Sequence, residues 1–224
     1  MEAEALRTFI RDNLPVTPVP GVPEIRLHKA VPTSGLNRLA RDGGDAFGSP
    51  YWAYHWAGGL ALARHVLDHP EIVAGKKVID LGAGGGLVGI AAAKAGAAAV
   101  TAAEIDPYAV TALKLNCALN RVEIGIAELD ITQDAPPEVE VMLVGDLFYA
   151  RDLAARVSVF LDRCLRAGCA VLAGDPWRAF LPIGRMREIA RYAVTETANL
   201  PGKESAVFAW NLDSRDESAA PRSV

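Results

Sequence analysis

The sequence predicts an α/β fold: a mostly parallel sheet covered by helices on both faces and closed by an antiparallel pair of strands. Three observations predict it. From residue 76 onward, short apolar runs alternate with amphipathic stretches, the pattern of strand–helix–strand crossovers. The first of these runs, Val-Ile-Asp-Leu-Gly-Ala-Gly-Gly-Gly-Leu-Val-Gly-Ile over 78–90, ends in an acid and enters a glycine turn that opens a small-residue helix. Near the end of the chain, two strand-like runs, 192–197 and 205–210, follow each other without a helix between them.

Taken in order, residues 2–13 have helical spacing, with Leu6, Phe9 and Ile10 on one face. The proline-rich stretch 14–23 is expected to break all regular structure. A short strand follows over 24–30, where Ile25 and Leu27 alternate with charged neighbours. Residues 41–50, rich in Gly and Asp, read as a loop, and 52–69 as an Ala- and Leu-rich helix closed by Pro70. Thereafter strands at 77–81, 98–104, 122–127, 139–145 and 169–173 alternate with helices at 86–94, 107–120, 150–166 and 183–189. Pro107 suits the first turn of its helix. Residues 1–74 therefore read as an N-terminal appendage packed on a core of residues 75–212, and the polar stretch 213–224 as a frayed tail.

Composition narrows the classes. The chain has 224 residues, 51% of them hydrophobic, enough for one α/β domain with a sizeable core. A net charge of −4 argues against binding nucleic acid through bulk charge. Three cysteines, Cys117, Cys164 and Cys169, form no C-x-x-C and sit among apolar residues, as reduced core thiols do. Four scattered histidines without a ligand spacing give no expected metal site. An acidic start is unlike a signal or transit peptide, so a cytoplasmic location is expected. No membrane span is expected either, because no uncharged apolar run is long enough.

The glycine run locates a cofactor. Gly84, Gly86 and Gly89 match the dinucleotide spacing G-x-G-x-x-G. Asp80 and Gly82, however, interrupt the apolar run that a dinucleotide site carries up to its first glycine. A nicotinamide-dependent oxidoreductase would also need a hydride-transfer set, and none is evident. Asp80-x-Gly82-x-Gly84 instead resembles motif I of class I, seven-strand S-adenosylmethionine (AdoMet) methyltransferases. AdoMet carries an α-amino group that wants acceptors at the strand end, and glycines let the backbone approach it closely.

Further signals lie at the ends of the later strands, where open parallel sheets bind ligands. Glu104 closes the second strand of the core and suits the two ribose hydroxyls, while Asp106, before Pro107, suits a helix cap. Asp130 follows the third strand. In AdoMet enzymes that position often meets the adenine amino group, and an exposed loop acid is the competing reading. Gly145-Asp146-Leu147-Phe148-Tyr149 follows the fourth strand, where a methyl acceptor would lie. Asp146-Leu-Phe-Tyr149 resembles the Asp-x-x-Tyr/Phe motif of seven-strand protein lysine methyltransferases, which implies that Asp146 would attract and orient an ammonium. Phe148 and Tyr149 would form apolar walls that favour the neutral amine and contact methylammonium. An Asp cap with core aromatics is the competing reading.

Ser49-Pro-Tyr-Trp-Ala-Tyr-His-Trp-Ala-Gly-Gly59 crowds four aromatics and a histidine. Trp56 is the candidate for cofactor contact and Tyr51 and Trp52 for the acceptor side, against plain packing of the appendage; His55 reads as structural. Gly174-Asp-Pro-Trp177 lies at the site rim, shaping access or filling the loop.

Together, the aromatic segment, motif I, Ala-Glu-Ile-Asp-Pro-Tyr-Ala and Gly-Asp-Leu-Phe-Tyr resemble the protein lysine methyltransferases that modify the β-subunit of electron transfer flavoprotein, in their bacterial form. The resemblance runs from about residue 50 to 210. It implies a Rossmann-like seven-strand methyltransferase sheet with an antiparallel terminal strand. It also implies AdoMet as donor, S-adenosylhomocysteine as product, and lysine side chains of a folded protein as acceptor. The ribosomal-protein amino methyltransferases look like the next relatives, and a small-molecule methyltransferase is the remaining alternative.

Overall fold

The computed structural model of the chain describes residues 3–43, 49–196 and 202–211; the expected tail 213–224 and residues 44–48 of the expected loop lie outside these. Helix α1 (Ala3–Asn13) leads into strands β1 (Val16–Val19) and β2 (Val22–His28), helix α2 (Leu36–Gly43) and helix α3 (Ala57–Asp68). The alternating part follows: β3 (Lys77–Leu81), α4 (Leu87–Lys94), β4 (Ala99–Ala103), α5 (Pro107–Asn120), β5 (Gly125–Ala127), β6 (Val141–Gly145), α6 (Arg151–Arg166) and β7 (Ala170–Asp175). Strands β8 (Met186–Val194) and β9 (Lys203–Trp210) close the sheet.

The seven-strand sheet has the order β5-β4-β3-β6-β7-β9-β8. Its first five strands are parallel, and β9 runs antiparallel to both β7 and β8. This is the predicted fold class. From β3 the chain winds outward to β5, then returns to β6 on the other side of β3. The strand order thus reverses between β3 and β6, and a crevice opens outside their carboxyl ends.

The side-chain alternation of the strands explains the two cores. Val78, Leu143 and Leu172 pack with Leu60, Leu62 and Val66 of α3 and Ile90 of α4 on one face. Ile79, Met142, Val144 and Val171 pack with Val157, Phe160 and Leu161 of α6 on the other. A third cluster joins α1 to α5 through Leu6, Ile10, Tyr108 and Ala112, with Trp52 among them.

Four local expectations change. Residues 14–23 do form regular structure: β1 and β2 pair as a hairpin turning at Gly21, which has φ 74°. In a two-strand ribbon every strand is an edge, so Pro18 and Pro23 are tolerated. Helix α2 reaches to Gly43, inside the expected loop. The expected helix over 52–69 is split: Tyr51–Ala53 is a 3-10 turn, Tyr54 and Trp56 are extended, and only then does α3 begin. The expected helix over 183–189 is a 3-10 turn, Ile183–Arg185, followed by β8, because pairing with β9 overrides local propensity.

Candidate functional site

The β3–α4 turn is shaped by three left-handed glycines, Gly82, Gly84 and Gly86. Gly82 has φ 69°, and a Cβ there would come within 2.6 Å of Leu147. Gly86 has φ 90° and caps α4, with Leu113 filling the space a side chain would need. Beneath the turn, Asp80 is 2% exposed, and its Oδ2 accepts the Gly89 N–H at 2.7 Å. Burial pushes its carboxyl up to about 7. Above the turn, the Oε2 of Glu104 accepts the Gly84 N–H at 2.7 Å, while Oε1 accepts the N–H groups of Ile105 and Asp106 at 2.8 and 2.9 Å. Glu104 therefore ties the end of β4 to the glycine turn of β3. Asp106 caps α5 by accepting the Tyr108 N–H at 2.8 Å, as the sequence suggests.

These residues line a cleft of about 620 Å³ at the carboxyl ends of the parallel strands, a normal size for a small-molecule site. Its wall includes Asp80, Gly82, Gly84, Glu104 and Asp130 and also Tyr51, Trp52, Trp56, Asp146 and Tyr149. The Oδ1 of Asp130 accepts from the backbone and the hydroxyl of Thr132, at 3.0 and 2.6 Å, and Arg156 lies 3.4 Å from its Oδ2. The hydroxyl bond, ahead of the other effects, holds its carboxyl below the usual range. Ile105 and Leu129, 67% and 49% exposed, add apolar surface beside these acids.

Asp146 departs most from an isolated acceptor-binding acid. It has φ 60°, uncommon for a residue with a Cβ. Its Oδ1 and Oδ2 accept the Gly58 and Gly59 N–H groups at 3.1 and 2.5 Å, so it caps α3 from another part of the chain. The Arg178 guanidinium also donates to Oδ1. Burial raises the Asp146 carboxyl, against the pull of Arg178 and the two glycine N–H groups.

Two sequence-derived assignments need correcting. Phe148 does not form a wall of the cleft: it is fully buried and stacks on Trp210, with ring centroids 6.1 Å apart. The turn after β6 sends the more apolar ring into the core and leaves Tyr149, with its hydroxyl, half exposed. Gly86 does not reach the cleft either, because its place is the cap of α4 against Leu113. Trp52 satisfies both readings, since it lines the cleft and belongs to the α1–α5 cluster.

The aromatic segment folds over the turn. A Cβ on Gly85 would lie 2.7 Å from the Trp52 carbonyl oxygen, so glycine is needed for that approach. The Trp56 indole N–H donates to the Tyr51 carbonyl at 2.9 Å, and the Tyr51 and Tyr149 rings are 5.9 Å apart. Two buried polar atoms of residues on the cleft wall, Trp52 Nε1 and His55 Nε2, have no hydrogen-bond partner among the described residues. Burial, with Lys29 nearby, pushes His55 down to about 3, so its imidazole is neutral. Arg178 lines the same cleft and was missed by sequence reasoning; its only signal was its place three residues after Asp175 at a strand end.

The donor set fits the cofactor that the resemblance implies: an acid at the end of β4 for a ribose, apolar surface for a base, and a close glycine turn over a buried carboxyl.

Residues 41–163 match the family model described as ribosomal protein L11 methyltransferase. The chain is 39% identical over 198 residues to the electron transfer flavoprotein beta subunit lysine methyltransferase of Xenopus laevis, covering 85% of this chain and 80% of the relative. It is 37% identical over 178 residues to the human protein of the same name, covering 77% and 67%. Among solved structures, magnesium protoporphyrin IX methyltransferase from Synechocystis, with bound SAM, superposes with a TM-score of 0.51 at 13% identity. That match covers 79% of this chain and 91% of the other, and it speaks for the fold alone.

Proposed function

The chain belongs to the electron transfer flavoprotein β-subunit lysine methyltransferase family, and from that membership we propose that its cleft moves a methyl group from AdoMet to lysine side chains of that β-subunit. The observation that carries the reading is the joining of two sets of residues in one cleft. One is the β3 turn with Asp80 and Glu104; the other is the acceptor set of Tyr51, Asp146 and Tyr149.

Each residue then has a task. Gly82 and Gly84 admit the cofactor to the turn, and the buried carboxyl of Asp80 supports that turn from below. Glu104 receives the ribose hydroxyls, Asp130 with Leu129 borders the base, and Trp56 covers the cofactor. Bound there, AdoMet supplies an electrophilic methyl group on a sulfonium.

A lysine side chain, with a pKa of about 10.4 in water, arrives as an ammonium. Tyr51 and Tyr149 present ring faces to it, and the charge near Asp146 orients it. The ammonium passes its proton to solvent water as these walls close around the side chain, and the dry site then favours the neutral amine with its lone pair free. Positioning of the amine supplies much of the rate. In this reading the appendage, residues 1–74, adds Tyr51 and Trp56 to the cleft, and the core, residues 75–212, supplies the glycine turn, the acids and Tyr149.

The three described cysteines are free and buried, and burial pushes their thiols to about 11 or 12, which suits a reducing compartment such as the cytoplasm. No helix among the described residues is long and apolar enough to cross a membrane.

The match to the ribosomal protein L11 methyltransferase model favours a second reading, in which the acceptor is a ribosomal protein. Incubating the enzyme and AdoMet with either purified protein, followed by peptide mass spectrometry, separates the two. Methylated lysines on the flavoprotein subunit are expected. Methylation confined to the ribosomal protein would replace this reading with the second.

A further inference from the structure

The ends of β6 and β7 place two carboxylates beside one guanidinium. Gly145 and Gly174 are register partners, so Asp146 and Asp175 leave neighbouring strands side by side. The side chain of Asp175 is fully buried, and those of Asp146 and Arg178 are 11% and 20% exposed. One nitrogen of Arg178, Nη1, faces both acids: it pairs with Asp146 and lies 3.2 Å from the Oδ2 of Asp175.

The loop is built to hold that guanidinium. The Oδ1 of Asp175 accepts the Arg178 backbone N–H at 2.7 Å, so Arg178 is tied to Asp175 by main chain and side chain together. Trp177 between them has φ 57°, an unfavourable conformation for a bulky residue. Its ring is clamped edge-on by Phe208, with the Arg191 guanidinium 4.6 Å from its centroid. A conformation of this kind persists only when its surroundings over-determine it.

The charge count then matters. Two neighbouring buried carboxylates resist joint ionisation. Arg178 neutralises one. The Gly58 and Gly59 N–H groups of α3 add only a partial positive charge, and they add it at Asp146. With both acids ionised, the cluster carries one negative charge in excess at a wall of the cleft that Tyr51 and Tyr149 also line.

We propose that Arg178, bridging Asp146 and Asp175, is a positioning residue of the acceptor site: it fixes the Asp146 carboxylate and leaves the cluster one positive charge short, a deficit that a single ammonium makes good. The inference deepens the lysine methyltransferase reading and rests on it. It assigns Asp146 a role shared among three residues rather than a solitary one, and it gives the site a preference for one monocation.

The test compares the full-length wild type with Arg178→Met, Asp175→Asn and the double variant. S-adenosylhomocysteine binding is measured by calorimetry, and kcat and KM with electron transfer flavoprotein β-subunit. Affinity for S-adenosylhomocysteine should stay within about twofold in all variants, because the cofactor residues are not touched. Arg178→Met should lower kcat/KM by at least about tenfold, since it strands two buried acids. Asp175→Asn pairs the remaining acid fully and should raise KM for the protein. The double variant restores one excess negative charge and should recover most of the loss. If Arg178→Met does not fold, Arg178→Lys keeps the charge without the fork and should still raise KM.

A double variant no better than the worse single one, or Arg178→Met working at the wild-type rate, overturns the proposal. So does loss of S-adenosylhomocysteine binding in step with activity, which would mark the cluster as a general brace of the fold. Failure of the substrate reading shows separately, in the wild type. If that labels lysines of another protein, the same comparison is made on that protein; if it labels none, both readings fall.

Discussion

Gly58 in the first turn of α3 and Gly174 near the end of β7 meet backbone against backbone: a Cβ on either would overlap the carbonyl oxygen of the other. This contact seats α3 over the strand ends and brings its free N–H groups to Asp146. Exposed helix glycines are usually improved by alanine, so the contact predicts the opposite sign here. Gly58→Ala or Gly174→Ala should destabilise the protein by about 1–3 kcal/mol, by overpacking, in urea unfolding. Stability equal to wild type would show that the helix can lift without cost.

Asp146 should separate stability from transfer. Asp146→Asn keeps an acceptor for the α3 turn and loses the charge. It is expected to bind S-adenosylhomocysteine normally and to methylate poorly. Asp146→Ala should abolish transfer and also cost about 1–3 kcal/mol, because two α3 N–H groups lose their acceptor. Full-rate methylation by the asparagine variant would remove the charge from the mechanism.

Phe148 and Tyr149 should behave as opposites. Phe148→Ala empties a site in the core and should cost about 3–5 kcal/mol of stability. Tyr149→Ala should leave the melting temperature almost unchanged and raise KM for the protein acceptor, while Tyr149→Phe keeps the ring and most of the activity. Equal melting temperatures for the two alanine variants would contradict the core assignment of Phe148.

Glu104→Ala removes the acceptor that joins three backbone N–H groups at the mouth of the cleft, together with the proposed ribose contact. Hydrogen bonds to a charged group contribute about 1.5–3 kcal/mol, so S-adenosylhomocysteine binding should weaken at least about tenfold. Calorimetry reads this directly, and undiminished affinity would place the ribose elsewhere.

Asp80 gives a pH dependence with a definite sign. Burial raises its folded-state carboxyl from 3.8 to about 7. The folded protein therefore holds a proton that the unfolded chain has lost, and the contribution of Asp80 to stability declines as pH rises from about 4 through about 7. Asp80→Asn should flatten that decline. Unfolding of both proteins at pH 5 and pH 8, without cofactor, measures it; parallel pH profiles would mean that Asp80 stays ionised throughout.

Much of this was readable from local signals. Helix α5 begins and ends where the sequence places it, because Asp106, Pro107 and the apolar spacing act within a few residues. Asp80, Glu104 and Asp146 were legible because an acid at the end of a buried parallel strand has the crevice as its natural place. β8 was misread because its pairing with β9 lies outside any local window, and 52–69 because the segment that breaks the helix is held by other elements.

The sequence by itself determined the α/β alternation, the glycine turn of the cofactor site and the set of acids along the strand ends, since periodicity, caps and left-handed glycines act locally. Only the tertiary structure decided which side chains share the cleft. It turned Phe148 inward and Tyr149 outward, set α3 on Gly174, and joined Asp146 to Asp175 through Arg178. Those outcomes depend on distances between strands and helices far apart in the chain, and no local pattern of residues encodes such distances.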